Sequence, residues 1–184
     1  SRQMNDPYVS EAYKRGYRSR SAFKLLQINQ KFKIIKPGTA LLDLGCAPGG
    51  WLQVIKDLTQ KGKNNLAIGI DLLETNTIPG IKLLRGDFRD SIIKTQLENI
   101  LNGRKLDGVL SDMAENTTGH RPTDHLRTNA LIEEALEFSI SFLKKDAFFM
   151  AKCFKGGTEN NILQSLKNKF KNVKHFKPDA SRKE

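Results

Sequence analysis

The sequence predicts an α/β domain with a doubly wound, mostly parallel sheet and helices on both faces. Three observations predict it. Apolar strand-length runs alternate with helix-length segments from residue 37 onward, and single helices separate most of the strands. The run Leu41-Leu42-Asp43-Leu44 breaks into the small-residue turn Gly45-Cys46-Ala47-Pro48-Gly49-Gly50 just before Trp51. Such a turn lets a ligand approach the backbone at a strand's carboxyl end, where a following helix offers free N–H groups.

Strands are expected at about 40–44, 66–71, 81–85, 106–111, 147–153 and 172–176, and helices at about 50–59, 91–101, 124–143 and 158–170. In the longest helix Leu131, Ala135, Phe138 and Phe142 recur at helical spacing and predict a core-facing stripe. Residues 1–36 read as two short helices forming a basic extension packed on the domain of residues 37–184. Asp6 before Pro7 is a good N-cap, Gly16 a stop, and Ser21 a candidate cap for the second helix.

A chain of 184 residues is expected to form one domain with one substantial core. No apolar run approaches the roughly 20 residues that span a bilayer, so no membrane partner is expected. Cys46 and Cys153 have no metal-ligand spacing. They suit a reduced intracellular protein, cytoplasmic or mitochondrial, with no metal. The net charge of +11 is uneven. Residues 1–36 carry nine Lys or Arg against two acids, residues 165–184 seven against two, and the middle is near neutral. Two basic ends on a neutral body point to nucleic acid as partner. Arg15, Arg18, Arg20 and Lys24, interleaved with Tyr13, Tyr17 and Phe23, are the candidate RNA contacts. A basic helix with its charges in water is the other reading of the same residues.

The strand ends carry the chemistry. The first gives the loop Gly45, Ala47, Pro48, Gly49, Gly50 and Trp51. The second ends in Asp71-Leu72, an acid 26 positions after Gly45 and suited to ribose hydroxyls. The third is followed by Asp87-Phe88, where the acid can receive an adenine amine, and the fourth ends in Ser111-Asp112-Met113-Ala114. Lys152 sits among Phe148, Phe149, Met150, Ala151, Cys153 and Phe154, which read as a buried strand. A lysine there loses solvation unless it is paired or neutral, which suits an acid–base role.

Together, Asp43-Leu-Gly-Cys-Ala-Pro-Gly-Gly-Trp51, Asp71-Leu-Leu73, Gly86-Asp-Phe-Arg-Asp90, Ser111-Asp-Met-Ala114, Lys177-Pro-Asp-Ala-Ser-Arg182 and Tyr17-Arg-Ser-Arg-Ser-Ala-Phe-Lys-Leu25 resemble the FtsJ/RrmJ family. These are S-adenosylmethionine-dependent RNA ribose 2′-O-methyltransferases. The resemblance implies a Rossmann-like class I methyltransferase fold, S-adenosylmethionine as cofactor and S-adenosylhomocysteine as product. It also implies a Lys–Asp–Lys–Glu tetrad. By motif position Lys24, Asp112 and Lys152 fill three places, and Gly49, Trp51, Asp71 and Asp87 line the cofactor site, with Asp112 beside the methyl group. The family's glutamate lies five residues after the arginine matched by Arg182, so Glu184 is not expected to be the fourth member, and the last antiparallel strand is expected to be missing. Glu115 stands where the family has proline, and Lys145-Asp146 where it has a Pro-Gly-Gly-like turn.

The motifs look closest to the bacterial and mitochondrial branch, which modifies a uridine of large-subunit ribosomal RNA, typically within the ribosomal particle. A monomer is expected. The tRNA anticodon-loop branch is the alternative enzyme. A non-catalytic RNA-binding assembly factor is the alternative of another class, and a nicotinamide dehydrogenase the weakest, since Ala47 replaces its second glycine.

Overall fold

Five strands and six helices make up a computed structural model that describes residues 5–113, 118–154 and 160–182. Glu115, Ala114 and Glu184 therefore lie outside the described residues. In chain order the elements are α1 (Pro7–Lys14), α2 (Ala22–Phe32), β1 (Ala40–Leu44), α3 (Gly50–Thr59), β2 (Leu66–Asp71), β3 (Lys82–Arg85), α4 (Ser91–Leu101), β4 (Leu106–Ser111), α5 (Arg121–Ile140), β5 (Leu143–Ala151) and α6 (Asn160–Lys169). The strands pair in the order β3-β2-β1-β4-β5, all parallel. The order reverses at β1, so the carboxyl ends of β1 and β4 flank the crevice where ligands bind in such sheets.

Strand β1 is central and fully buried, and successive side chains serve opposite faces. Leu41 joins a core with Leu52, Ile55, Ala22 and Leu25, which seats α2 and α3 on one face. Leu42 and Leu44 join Ile93, Leu97, Ala135 and Phe142, which seats α4 and α5 on the other. Because α2 contributes Ala22 and Leu25 to the first core, that helix shares the core of the sheet, while α1 packs on α2 through Ala12, Tyr8 and Phe23. Asp6 caps α1 as its sequence predicts, its carboxylate accepting the Tyr8 N–H at 2.9 Å. Ser21 does not cap α2, because its hydroxyl lies 2.7 Å from that of Ser19 instead.

Two expectations about the sheet need correction. Strand β5 is an edge strand, and residues 147–154 are half-buried rather than buried, since only β4 lies beside it. It also begins earlier than predicted. Leu143 pairs with Leu106, but the next pair is Phe148 with Gly108, so extra residues bulge out between them. Asp146 takes the left-handed backbone there, at φ 65°, the conformation for which a glycine is the usual choice. The predicted strand at 172–176 does not form. Lys174 and Phe176 are exposed, no described strand pairs with it, and the segment runs back to α2. There the Ala180 N–H donates to Gln27 Oε1 at 2.8 Å.

Candidate active site

The glycines of the turn after β1 let neighbouring side chains close tightly on it. A Cβ on Gly45 would lie 2.2 Å from Met113 Cγ, and one on Gly50 2.2 Å from Ser19 Oγ. Gly45 (φ 74°) and Gly49 (φ 116°) also hold left-handed backbone that side chains resist. Gly49 is the N-cap of α3 and offers no side chain, so the first N–H groups of that helix remain open to a ligand. The cleft so formed is lined by Gly45, Cys46, Ala47, Pro48, Gly50 and Trp51 of the turn, with Asp43, Asp112, Ser19 and Ser21 around them.

Asp112, at the end of β4, joins this cleft to the N-terminal helices. Lys24 Nζ lies 3.0 Å from its Oδ2 and 3.3 Å from its Oδ1, and both side chains are mostly shielded from solvent. Lys152 follows β5 directly, and its backbone N–H donates to the Ser111 carbonyl at 2.9 Å. Its backbone is thereby fixed beside the strand end that carries Asp112, while its Nζ stands 5.7 Å from the Phe154 ring centroid. Three candidate catalytic residues, distant in sequence, thus converge on neighbouring strand ends and one helix.

Asp43 is the residue that the sequence reading quoted but did not assign. It is 3% exposed. Burial, reinforced by Asp112 and Asp71, raises its carboxyl well above the ordinary carboxylate range. It lines the cleft and no described side chain neutralises it. The signal was present: an acid inside the apolar run Ala40–Leu44 is as misplaced as a lysine beside Phe148–Met150. The neighbouring Cys46 thiol is pushed up to about 12, chiefly by burial, which makes it a neutral wall of the cleft.

Other expected cofactor residues have more than one employment. Asp71 accepts the Ala47 N–H and the Leu73 N–H, each at 2.8 Å, so it shapes the turn it was expected to complement. Both oxygens of Asp87 are held by the Arg89 fork at 2.8–3.1 Å, and these bonds keep its carboxyl below the usual range. An amine reaching Asp87 must use the remaining lone pairs or displace that exposed arginine. Leu72 is exposed beside Asp71, but the Phe88 side chain is buried against Phe138 in the core and only its backbone can face a ligand. Trp51 is likewise buried, its Nε1 donating to the Ser21 carbonyl at 2.8 Å.

Of the candidate RNA contacts, Arg18 and Arg20 are committed internally. Arg18 donates to the carbonyls of Pro48 (3.1 Å), Asn76 (2.5 Å) and Thr77 (2.9 Å), clamping the glycine turn to the segment after β2. Arg20 pairs with Asp6 at 2.7 Å and donates to the Ala180 carbonyl at 2.8 Å. Arg15 is exposed, its guanidinium 5.4 Å from the ring centroids of Tyr17 and Phe23, and remains available. Arg18→Ala should therefore act through the turn: a loss of about 1–3 kcal/mol of stability and a weaker cofactor complex, read by thermal melting with and without cofactor.

A family model of FtsJ-like methyltransferases matches residues 17–184. The chain belongs to this family. The ribosomal RNA large subunit methyltransferase E of Rickettsia akari (strain Hartford) is 50% identical over all of this chain and 82% of its own. Its counterpart in Bartonella bacilliformis is 51% identical over all of this chain and 77% of its own. A solved ribosomal RNA methyltransferase of Plasmodium falciparum is 32% identical, with TM-score 0.83 over 88% of this chain and 91% of that one. The fold is Rossmann-like, the protein is a methyltransferase, and S-adenosylmethionine is its methyl donor. The cleft fits that cofactor, since the first N–H groups of α3 carry no side-chain cap and Asp43 offers a carboxylate with no described cation beside it.

Proposed function

We propose that this methyltransferase modifies a ribose 2′-hydroxyl of a uridine in large-subunit ribosomal RNA, acting as a monomer on the ribosomal particle. The observation that carries the site assignment is the Lys24–Asp112 pair at the mouth of the glycine-turn cleft, with Lys152 following the adjacent strand. The names of the relatives at 50% and 51% identity support the substrate, and they are bacterial, so they lend the mitochondrial alternative no support.

Bound S-adenosylmethionine supplies a sulfonium methyl, an electrophile in its own right, and leaves as neutral S-adenosylhomocysteine, so the proposed transfer requires no metal. The turn Gly45–Gly50 and the α3 N-terminus would hold its amino-acid end, with Asp43 receiving the ammonium and Asp71 the ribose. The protein must also raise the reactivity of a weak nucleophile and align it. In this reading Lys152 accepts the proton from the 2′-oxygen as that oxygen bonds to the methyl carbon. Lys24 anchors Asp112, which orients the Lys152 amine. Arg15 with α1 and α2 forms an RNA-facing extension.

The test is transfer of labelled methyl to unmodified large ribosomal subunits, with tRNA in parallel and Lys152→Ala as control. Label in the ribosomal RNA that protects one linkage from alkaline cleavage is expected. Label in tRNA alone would move the protein to the anticodon-loop branch. Cofactor binding without label in either RNA would favour an assembly factor. The same assay on a chain extended by a relative's C-terminal segment tests the place of the tetrad glutamate.

A further inference from the structure

With Arg18 and Arg20 spent on internal contacts, the basic ends of the chain must meet RNA through other residues. Helix α2 carries Lys24 in its first turn, near the reaction site, and ends at Phe32, eight residues later and roughly 12 Å along its axis. At that distal end Phe32 meets Phe176 edge-on, ring centroids 5.5 Å apart. Lys31 Nζ lies 5.0 Å from the Phe176 centroid and 5.9 Å from that of Phe32, and Lys174 Nζ 5.7 Å from that of Phe32. Lys33 and Lys177 are exposed beside them in sequence. Among the described residues none of these four lysines is in an ion pair.

We propose that the distal end of α2 and residues 171–177 form a second RNA-contact surface, which takes phosphates and one unstacked base of the RNA flanking the target. The proposal rests on the ribosomal RNA reading above. Two features favour RNA over a protein partner. The four cations have no described acid paired with them, as a polyanion site requires. The apolar part is a single ring, Phe176 at 39% exposed, enough for one stacked base but too little for a protein interface. The lysines are also gathered over the two rings rather than splayed into water, which presents them as one patch. The spacing from Lys24 places the patch within a few nucleotides of the site.

The test is binding of residues 1–184 to an in vitro transcript of unmodified large-subunit ribosomal RNA across a salt series. Lys31→Glu/Lys174→Glu should bind about 10-fold or more weakly, with the log–log salt slope lowered by about 2. Phe176→Ala should lose about 5-fold or more with the slope unchanged. Lys82→Glu/Lys94→Glu changes the net charge equally at β3 and on α4, which packs on the opposite sheet face, and should bind within about 2-fold of wild type. Cofactor affinity and melting temperature must hold in every variant. Wild-type RNA affinity in the α2 double variant, or an equal loss in the control, would overturn the patch. So would unchanged binding to the transcript with weakened binding to the ribosomal particle, which would indicate a ribosomal protein as partner. Failure of the wild-type chain to bind either the transcript or the unmodified ribosomal particle would instead overturn the substrate reading.

Discussion

Lys152→Ala should lower methyl transfer by about 10²–10⁴-fold, the usual worth of a positioned base, while the cofactor dissociation constant stays within about 2-fold. The separation follows from the geometry. Lys152 is not among the residues lining the cofactor cleft, and its backbone position is fixed by a main-chain bond to Ser111, so truncating its side chain leaves the turn after β1 in place. Asp112→Ala and Lys24→Ala should behave differently from Lys152→Ala and like each other. Each leaves the other charge mostly shielded and unpaired, so the double variant should cost little more than either single one. Single-turnover rates with saturating cofactor, alongside calorimetric cofactor titrations, check all four proteins. Wild-type turnover in Lys152→Ala would remove it from the chemistry.

Asp43→Asn should show opposite effects on fold and function. In the free protein the carboxyl is raised by burial, so the folded state holds this proton more tightly than the unfolded chain does. The stability it contributes is present in full below the unfolded value of about 3.9 and is lost as pH rises through the higher folded value. At neutral pH the amide removes that liability, and the cofactor-free protein should melt about 2–4 °C higher, a gain that shrinks toward acid pH. Cofactor affinity should fall by about 10- to 100-fold, the worth of a lost charge-assisted bond. In the wild type the same affinity should decline as pH falls and Asp43 is protonated, and the variant should lack that dependence. Melting curves from pH 5 to 8, each with and without cofactor, read both effects at once. An Asn variant that binds cofactor like the wild type would free Asp43 of any ligand role.

The legible and illegible parts of this protein divide along physical lines. The β1 turn could be read because its information is local: Asp43 to Trp51 holds the strand, the small residues and the helix start within nine positions. The strand-end acids could be read because a parallel sheet delivers all its carboxyl ends to one edge. Arg18 and Arg20 could not. A guanidinium whose partners are carbonyls 58, 59 or 160 residues away has the same sequence signature as one that binds phosphate. Lys152 was singled out on an expected deep burial that the strand does not have: its strand is half-buried at an edge, and the register of β4 with β5 sets its position. Phe88 was assigned by its neighbour Asp87, but one residue along the chain is enough to turn a side chain from the Arg89 fork at the surface to the core.

Trp51 has a practical bearing on all of these experiments. It is the only tryptophan in the chain, its indole N–H is tied to the Ser21 carbonyl, and it belongs both to the cleft wall and to the core beneath α2. Its fluorescence is therefore a single-site signal, free of the averaging that several indoles impose. Detachment of the N-terminal helices should shift the emission to the red as the ring meets water, whereas filling of the cleft should alter intensity with little change in wavelength. One unlabelled sample can thus separate undocking of the extension from occupation of the site, in real time and without modifying the protein.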